Sequence, residues 1–183
     1  MPCTLHSSRY GLGVVNFKQE RYPLAEYHFR EALTIAPHNP ILLTLVGKVV
    51  QKSPDRLEEA LEIYEKAHKL APHHTHFAFQ KAQVLVELQE YAVAEDILKD
   101  LIETTNCDSN VYFLLGQVYQ GLGRRKDACG AYILAQDLST HKSISKIRDA
   151  LDKLVQIDNN NTSIFYPFAL ARLLARRGLK IPW

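Results

Sequence analysis

His73, His74 and His76 stand together just after Pro72, and a cluster of that kind is where metal chemistry would begin. A metal site needs about three or four donors converging from fixed elements. No cysteine and no pair of acids accompanies these histidines, so a solvated turn is the better account. The chain has no glycine-rich phosphate loop, no HExxH, no GxSxG and no zinc-finger spacing. Neither an enzyme nor a cofactor nor a metal is expected. A different set of residues recurs at helical steps and offers binding chemistry. Lys48 and Lys52 supply cations, Glu87 an acid, Gln83 and Gln117 amides, and Phe17, Phe79, Val86 and Phe113 apolar anchors. What they can hold depends on the elements that line them up.

Those elements are legible in the stretch from Ser109 to Thr140. Tyr112, Leu115, Gly116 and Tyr119 lie three or four apart, which puts them on one helix face. Gly116 marks a close crossing, because a side chain there would separate helices that pack about 8 to 10 Å apart. Gly121 and Gly123 are expected to break the helix, and a second helix follows with Ala128, Tyr132 and Ala135 inward. The pattern recurs upstream. Stepping back brings Ala82 with Tyr91, Ala94, Leu98 and Leu101, then Gly47 with Ala60, Tyr64 and Ala67, then Gly13 with Tyr22, Ala25, Phe29 and Ala32. A period of about 34 residues with one helix hairpin per period is the tetratricopeptide pattern. The expected fold is all-α, a right-handed solenoid of antiparallel hairpins over residues 1–142, with repeats at about 6–39, 40–74, 75–108 and 109–142. Each hairpin leaves an apolar side that only a neighbour can cover.

A helix over 143–155, with Ile144, Ile147, Leu151, Leu154 and Val155 on one side, is expected to cap the array. Residues 156–183 read as a polar linker and an apolar, basic tail. That tail is too short and too charged to span a bilayer. Folding back, lying on a surface as an amphipathic helix, and disorder remain open for it. Upstream, Arg9 sits where an aromatic would lock the first helix, which suggests a start inside a longer array. Pro37 and Pro40 are expected to end the first hairpin, and Asp55 with Glu58 to form a capping box. Asp108 or Ser109 should cap the fourth hairpin. A signal peptide is not expected, since residues 1–9 lack an apolar core.

Composition is that of an ordinary soluble protein: of 183 residues, 46% are hydrophobic and 23% charged. The formal charge of +2 gives no reason to expect nucleic acid, and Cys3, Cys107 and Cys129 form no paired framework. A reducing compartment fits best. The first helices of successive hairpins would line a groove suited to an extended peptide. Tyr10, Val14, Phe17 and Lys18 are placed there, then Thr44, Lys48, Gln51 and Lys52. Phe79, Gln83, Val86 and Glu87 follow, then Asn110, Phe113, Gln117 and Gln120. A co-chaperone clamp would want Lys and Asn at inward places where this chain has Tyr10, Val14, Leu45, His76 and Gln80, so that class is disfavoured.

The runs Tyr10-Gly11-Leu12-Gly13, Lys18-Gln19-Glu20, Leu24-Ala25-Glu26-Tyr27-His28-Phe29 and Val111-Tyr112-Phe113-Leu114-Leu115-Gly116-Gln117-Val118-Tyr119 resemble a known family. It is the tetratricopeptide subunits of the anaphase-promoting complex, of the cell division cycle 27 type. The resemblance covers about residues 10–154, including Lys146-Ile147-Arg148-Asp149-Ala150-Leu151-Asp152-Lys153. The start and the tail after Gln156 depart from it. The resemblance implies a non-catalytic scaffold of a ubiquitin ligase in cell-cycle control, at work in nucleus and cytoplasm. Its implied partners are other subunits and the C-terminal isoleucine-arginine tails of coactivators, with no nucleic acid and no membrane. Such a tail asks for an acid, a cation and an apolar pocket. Glu87, Lys48 or Lys52, and Phe79 with Val86 are the residues at hand. Alternatively, Lys52 and Glu87 pair with each other across adjacent repeats.

Overall fold

The computed structural model describes residues 3–104, 108–139 and 144–159, all in helices and short turns. Its helices are α1 (Cys3–Lys18), α2 (Tyr22–Ile35), α3 (Pro40–Val50), α4 (Leu57–Leu70), α5 (Thr75–Glu87), α6 (Tyr91–Thr104), α7 (Ser109–Gly121), α8 (Arg125–Leu138) and α9 (Ile144–Asn159). A 3-10 turn, Pro54–Arg56, precedes α4. The chain divides between Glu90 and Tyr91 into two compact units. In the first, α1 packs on α2, α2 on α3, α3 on α4 and α4 on α5; in the second, α6 packs on α7, α7 on α8 and α8 on α9.

Three of the hairpins close on a contact between a glycine and a ring. A Cβ added to Gly13 would lie 2.4 Å from Phe29 Cε1, one at Gly47 2.8 Å from Tyr64 Cε1, and one at Gly116 2.4 Å from Tyr132 Cε1. Phe29, Tyr64 and Tyr132 are all fully buried. The missing side chain is therefore replaced by an aromatic ring from the second helix, which is the close crossing that the small residues announce. At the corresponding sequence positions of the third frame stand Ala82, in the first unit, and Leu98, in the second, each fully buried. Ala25, Ala32, Ala60, Ala67, Ala94, Ala128 and Ala135 are likewise at 0% exposure, so these seven packing alanines face the interior.

The turns are more varied than the sequence suggests. Glu20, Gln89 and Gly123 occupy the same place after their first helices and have φ of 59, 63 and 72°. A left-handed residue redirects the chain there, and only in the last case is it glycine. The second hairpin has Pro54 at that place and turns through the 3-10 segment instead, which accommodates the one residue more that separates Gly47 from Ala60 than Gly116 from Ala128. Gly121 ends α7 where the break was expected, and it has a packing role besides. A Cβ on it would come within 2.4 Å of Tyr91 Cζ, so it makes room for a neighbouring ring.

Two expectations need correction. Pro40 begins α3 rather than ending α2: Asn39 caps α3, its side chain accepting from the backbone N–H of Ile41 and Leu42, and Pro40 has no amide hydrogen to leave unsatisfied. The capping box of Asp55 and Glu58 does not form. Arg56 precedes α4 and no side chain caps it, because the 3-10 turn intervenes. Asp108 does cap α7, accepting from Asn110 N at 2.9 Å. Arg9, expected to be a misfit, bonds to Glu31 on α2.

α9 covers the last hairpin: Ile147, Leu151 and Leu154 are each 2% exposed and pack with Ala128, Tyr132 and Ala135. It continues to Asn159, beyond the expected end at 155. Ser143, the rest of the linker and the tail to Trp183 lie outside the described residues, as does Cys107.

Charge ties the second helices together. Glu26 on α2 accepts from Arg56 through both oxygens, at 2.8 and 2.9 Å, and from Arg30 at 2.8 Å. Glu59 accepts from Arg30 at 2.5 Å and from Arg56 at 2.8 Å, closing a ring of alternating charges. The arginines hold the Glu26 carboxyl at a pKa of about 2, against the partial burial that would raise it. Two repeats further on the arrangement returns with other residues. Glu95 meets Lys99 at 2.7 Å and Arg124 at 2.9 Å, and Arg124 meets Asp127 at 2.8 Å.

Candidate peptide-binding face

Among the first helices, α3 and α5 share one polar face within the first unit. α5 brings His76, Gln80, Gln83 and Glu87 to that face at steps of three and four, and α3 brings Lys48 and Gln51. Gln51 Nε2 donates to Glu87 Oε1 at 2.7 Å, joining the two helices directly. The same Gln51 accepts at its Oε1 from the Tyr64 hydroxyl at 3.1 Å. Gln80, 7% exposed, lies 3.5 Å from that hydroxyl and donates to Gln83 Oε1 at 3.0 Å. A chain of hydrogen bonds therefore runs from a buried phenol to an exposed carboxylate. Burial and the Glu87 charge both push the Tyr64 pKa up, so the phenol keeps its proton and remains a donor.

This chain explains a pairing that the sequence alone leaves unremarked. A buried tyrosine hydroxyl needs a partner, and a phenylalanine does not. Where the second-helix ring is Tyr64 or Tyr132, a glutamine stands four residues after the glycine: Gln51 for the first, and Gln120, which accepts at 3.0 Å, for the second. Where it is Phe29 or Leu98, the same place holds Phe17 or Val86. Gln51 and Gln120, placed above in the lining of the groove, are thus the acceptors of buried hydroxyls. Gln83 keeps its own amide nitrogen for other use, since only its oxygen takes part in the chain.

Lys48 on α3 and Lys52 just after it supply the cations of this face. Neither has a carboxylate within ion-pairing distance among the described residues, whereas Lys81 meets Glu65 at 2.8 Å, Arg56 meets Glu26 at 2.8 Å and Arg124 meets Glu95 at 2.9 Å. The expected alternative, a pair between Lys52 and Glu87, is not made; Gln51 takes Glu87 instead. Lys48 is half-buried and its charge, after burial, lowers the His76 pKa. Lys52 is exposed in the turn after α3, where its backbone N–H donates to Val49 O. One end of the face is accordingly basic, with Lys48 beside His76, and the other carries Glu87.

The apolar candidates divide. Phe79 and Val86 on α5 are partly exposed and available as a pocket wall. Phe17 packs on the core of the first unit and sets its ring edge-on to Tyr22 at 5.8 Å. Phe113 packs against Tyr132 with ring centroids 5.5 Å apart. Both serve the interior as much as a ligand. Gln117 is exposed on α7, in the second unit with Phe113. Lys48, Gln83 and Glu87 are therefore the candidates brought together, with Gln51 and Gln80 as the support that sequence reasoning missed. Of the three histidines singled out above, His74 and His76 set their rings against Phe77 at 5.7 and 6.2 Å.

Comparison with known proteins adds to this geometry. Residues 6–40 and 53–118 match models of the tetratricopeptide repeat. The chain is 30% identical over 149 residues to anaphase-promoting complex subunit 3 of Schizosaccharomyces pombe, covering 81% of this chain and 22% of that protein. It is 31% identical over 150 residues to cell division cycle protein 27 homolog B of Arabidopsis thaliana, covering 81% and 20%. It thus spans about a fifth of the length of these curated relatives. In fold it is similar to the solved anaphase-promoting complex hetero-tetramer Cut9-Hcn1, with a TM-score of 0.71 and 18% identity over 81% of this chain and 30% of that one. The repeats are thereby of the kind found in subunit 3, and the fold class is the all-α hairpin solenoid. No helix among the described residues is long and apolar enough to cross a membrane.

Proposed function

We propose that this chain, which belongs to the tetratricopeptide-repeat family, is a non-catalytic protein-interaction scaffold whose α3–α5 face takes the C-terminal tail of a protein partner. The observation that carries the reading is that Lys48 and Lys52 have no carboxylate partner among the described residues, while the acid of the same face, Glu87, is met only by the neutral amide of Gln51. A peptide carboxylate fits the lysines, and a basic side chain near the peptide's end fits Glu87. Between them, Phe79 and Val86 offer an apolar wall and Gln83 a free amide donor for the peptide backbone. Similarity to subunit 3 proteins supports extending the proposal to the anaphase-promoting complex. On that extension the tail ends in isoleucine-arginine, the partners are coactivators or other subunits, and the work belongs to ubiquitin-dependent cell-cycle control in nucleus and cytoplasm.

Titration of a labelled peptide ending in isoleucine-arginine, followed by fluorescence anisotropy, tests this. Binding should weaken as salt rises past physiological strength, where the screening length is about 8 Å. Glu87→Lys should abolish it, turning an attraction for the arginine into repulsion, and amidation of the peptide's end should weaken it. Phe79→Ala should weaken binding with little change in its salt dependence. Equal binding of amidated and free-acid peptides would show that the lysines do not hold a carboxylate.

A further inference from the structure

Glu87 is the last residue of α5 and exposed, and its long side chain, left to itself, would sample many rotamers over the groove. Its one partner among the described residues is Gln51 of α3, whose Nε2 donates to Glu87 Oε1 at 2.7 Å. The kind of partner matters as much as the bond. A neutral amide fixes a carboxylate and leaves its charge whole. A cation would offset that charge, as in the inter-repeat clasps, where Arg30 and Arg56 meet Glu26, or where Lys81 meets Glu65. Lys52 follows Gln51 in the chain and would be such a cation, yet it makes no pair among the described residues.

Gln51 is itself held from the other side. Tyr64 is fully buried, and its hydroxyl lies 3.1 Å from Gln51 Oε1 and 3.5 Å from Gln80 Oε1, so its single hydrogen goes to the nearer acceptor. A flipped Gln51 would turn its oxygen toward the Glu87 carboxylate, acceptor against acceptor, which leaves the amide one workable orientation. A ring fixed by the core over Gly47 thereby sets the place of a charge on the surface. The second unit has the first half of this device without the second. Tyr132 holds Gln120 at 3.0 Å, and the Gln120 amide nitrogen meets no acid among the described residues. The hold of a phenol on an amide recurs, whereas the acid beyond it is seen on the α3–α5 face alone among those residues.

We propose that, on the peptide-binding reading of the α3–α5 face, Tyr64 and Gln51 are positioning residues that act through Glu87 and set how strongly this face distinguishes a basic peptide end from a neutral one. Ordering a long side chain as a ligand arrives costs affinity, and a carboxylate already held in place avoids that cost. Glu87 gains this order without the loss of charge that an ion pair would bring. Tyr64 contributes from inside the core and touches no ligand.

The test titrates two labelled peptides against the full chain by fluorescence anisotropy, one ending in isoleucine-arginine and the other in isoleucine-citrulline. Citrulline keeps the shape of arginine without its charge, so the ratio of the two dissociation constants reports the contact with Glu87. Wild type should favour arginine by about tenfold, as a hydrogen bond to a charged group would. Tyr64→Phe should cut that ratio by about two- to fivefold, and so should Tyr64→Phe combined with Gln51→Met, which strands no buried hydroxyl. In Glu87→Gln the preference for arginine should vanish, and adding Tyr64→Phe should change nothing further. If the Tyr64 and Gln51 variants keep or raise the wild-type ratio, weakening both peptides alike or neither, the two residues serve packing only; the positioning role is then wrong while the peptide-binding reading stands. A wild type that binds neither peptide, or both equally, overturns the reading of Glu87 and the positioning role with it.

Discussion

The two sides of the hairpins treat charge differently. On the second helices every cation of the inter-repeat clasps is answered: Arg30 and Arg56 share Glu26 and Glu59, and Lys99 and Arg124 share Glu95. On the α3–α5 face Lys48 and Lys52 have no such answer, and the one acid, Glu87, is met by a neutral amide. Charges that alternate in a closed ring hold neighbouring hairpins in register. Charges left unanswered on a face built by a supporting hydrogen-bond chain cost little stability to keep and remain available for a ligand. The difference separates residues that hold the array together from residues that the array displays.

Both sides depend on closed hairpins, so the largest expected effect comes from opening one. Gly116→Leu would drive a side chain into the Tyr132 ring and should lower stability by about 1 to 3 kcal/mol or more, read from urea unfolding. Gly130→Ala on α8, where a Cβ would meet nothing within 4 Å, should instead raise stability by up to about 1 kcal/mol through helix propensity. Loss of stability from both substitutions would contradict the assignment of glycine to ring contacts.

Breaking a clasp comes next. Glu26→Ala strands Arg56 and weakens the ring, and should cost on the order of 1 kcal/mol, more than a lone surface pair. Its pH dependence has a definite sign. The folded carboxyl titrates at about 2, below the roughly 4.3 of an unfolded glutamate, so the contribution is complete above about pH 5 and lost as pH falls toward 2. The difference in melting temperature between wild type and Glu26→Gln should therefore shrink from pH 6 to pH 3. A constant difference over that range would mean that the carboxylate does not feel its arginines.

A smaller effect is expected from the chain of hydrogen bonds that supports the ligand face. Tyr64→Phe removes the hydroxyl that donates to Gln51 and should cost about 1 kcal/mol, with the ring still filling the space over Gly47. Pairing it with Gln51→Phe recreates the combination of Phe29 and Phe17 in the first hairpin. That double variant should recover part of the loss; no recovery would show that the covariation of ring and amide is incidental.

The fold was legible because each hairpin repeats the same solution in the same order. Gly13, Gly47 and Gly116, with the alanines of the second helices, mark the crossings by size alone, and size can be read from a sequence. Turns were less legible: Glu20 and Gln89 adopt a left-handed backbone that nothing in their type announces, and Gly121, besides ending its helix, makes room for Tyr91. The candidate face was legible in outline, since helical spacing brings Lys48 and Glu87 to the inward side. Its internal wiring was not. That Gln51 belongs to Tyr64 follows only from knowing which ring it faces, and a four-residue step to a glycine gives that away only after the second instance, Gln120 with Tyr132, is seen. The clasps went unread for the same reason, because Glu26 and Arg56 are far apart in sequence and meet through packing.

The separation of holding residues from displayed residues is tested most directly by measuring stability and peptide binding on the same variants. Lys48→Ala with Lys52→Ala should leave urea unfolding within about 0.5 kcal/mol of wild type. The same variant should lose at least about tenfold in affinity for a free-acid tail peptide, a change of about 1.4 kcal/mol. Glu26→Ala should do the reverse, lowering stability while binding at a temperature where it remains folded is unchanged. A lysine variant that unfolds more easily yet binds as well as wild type would contradict the account.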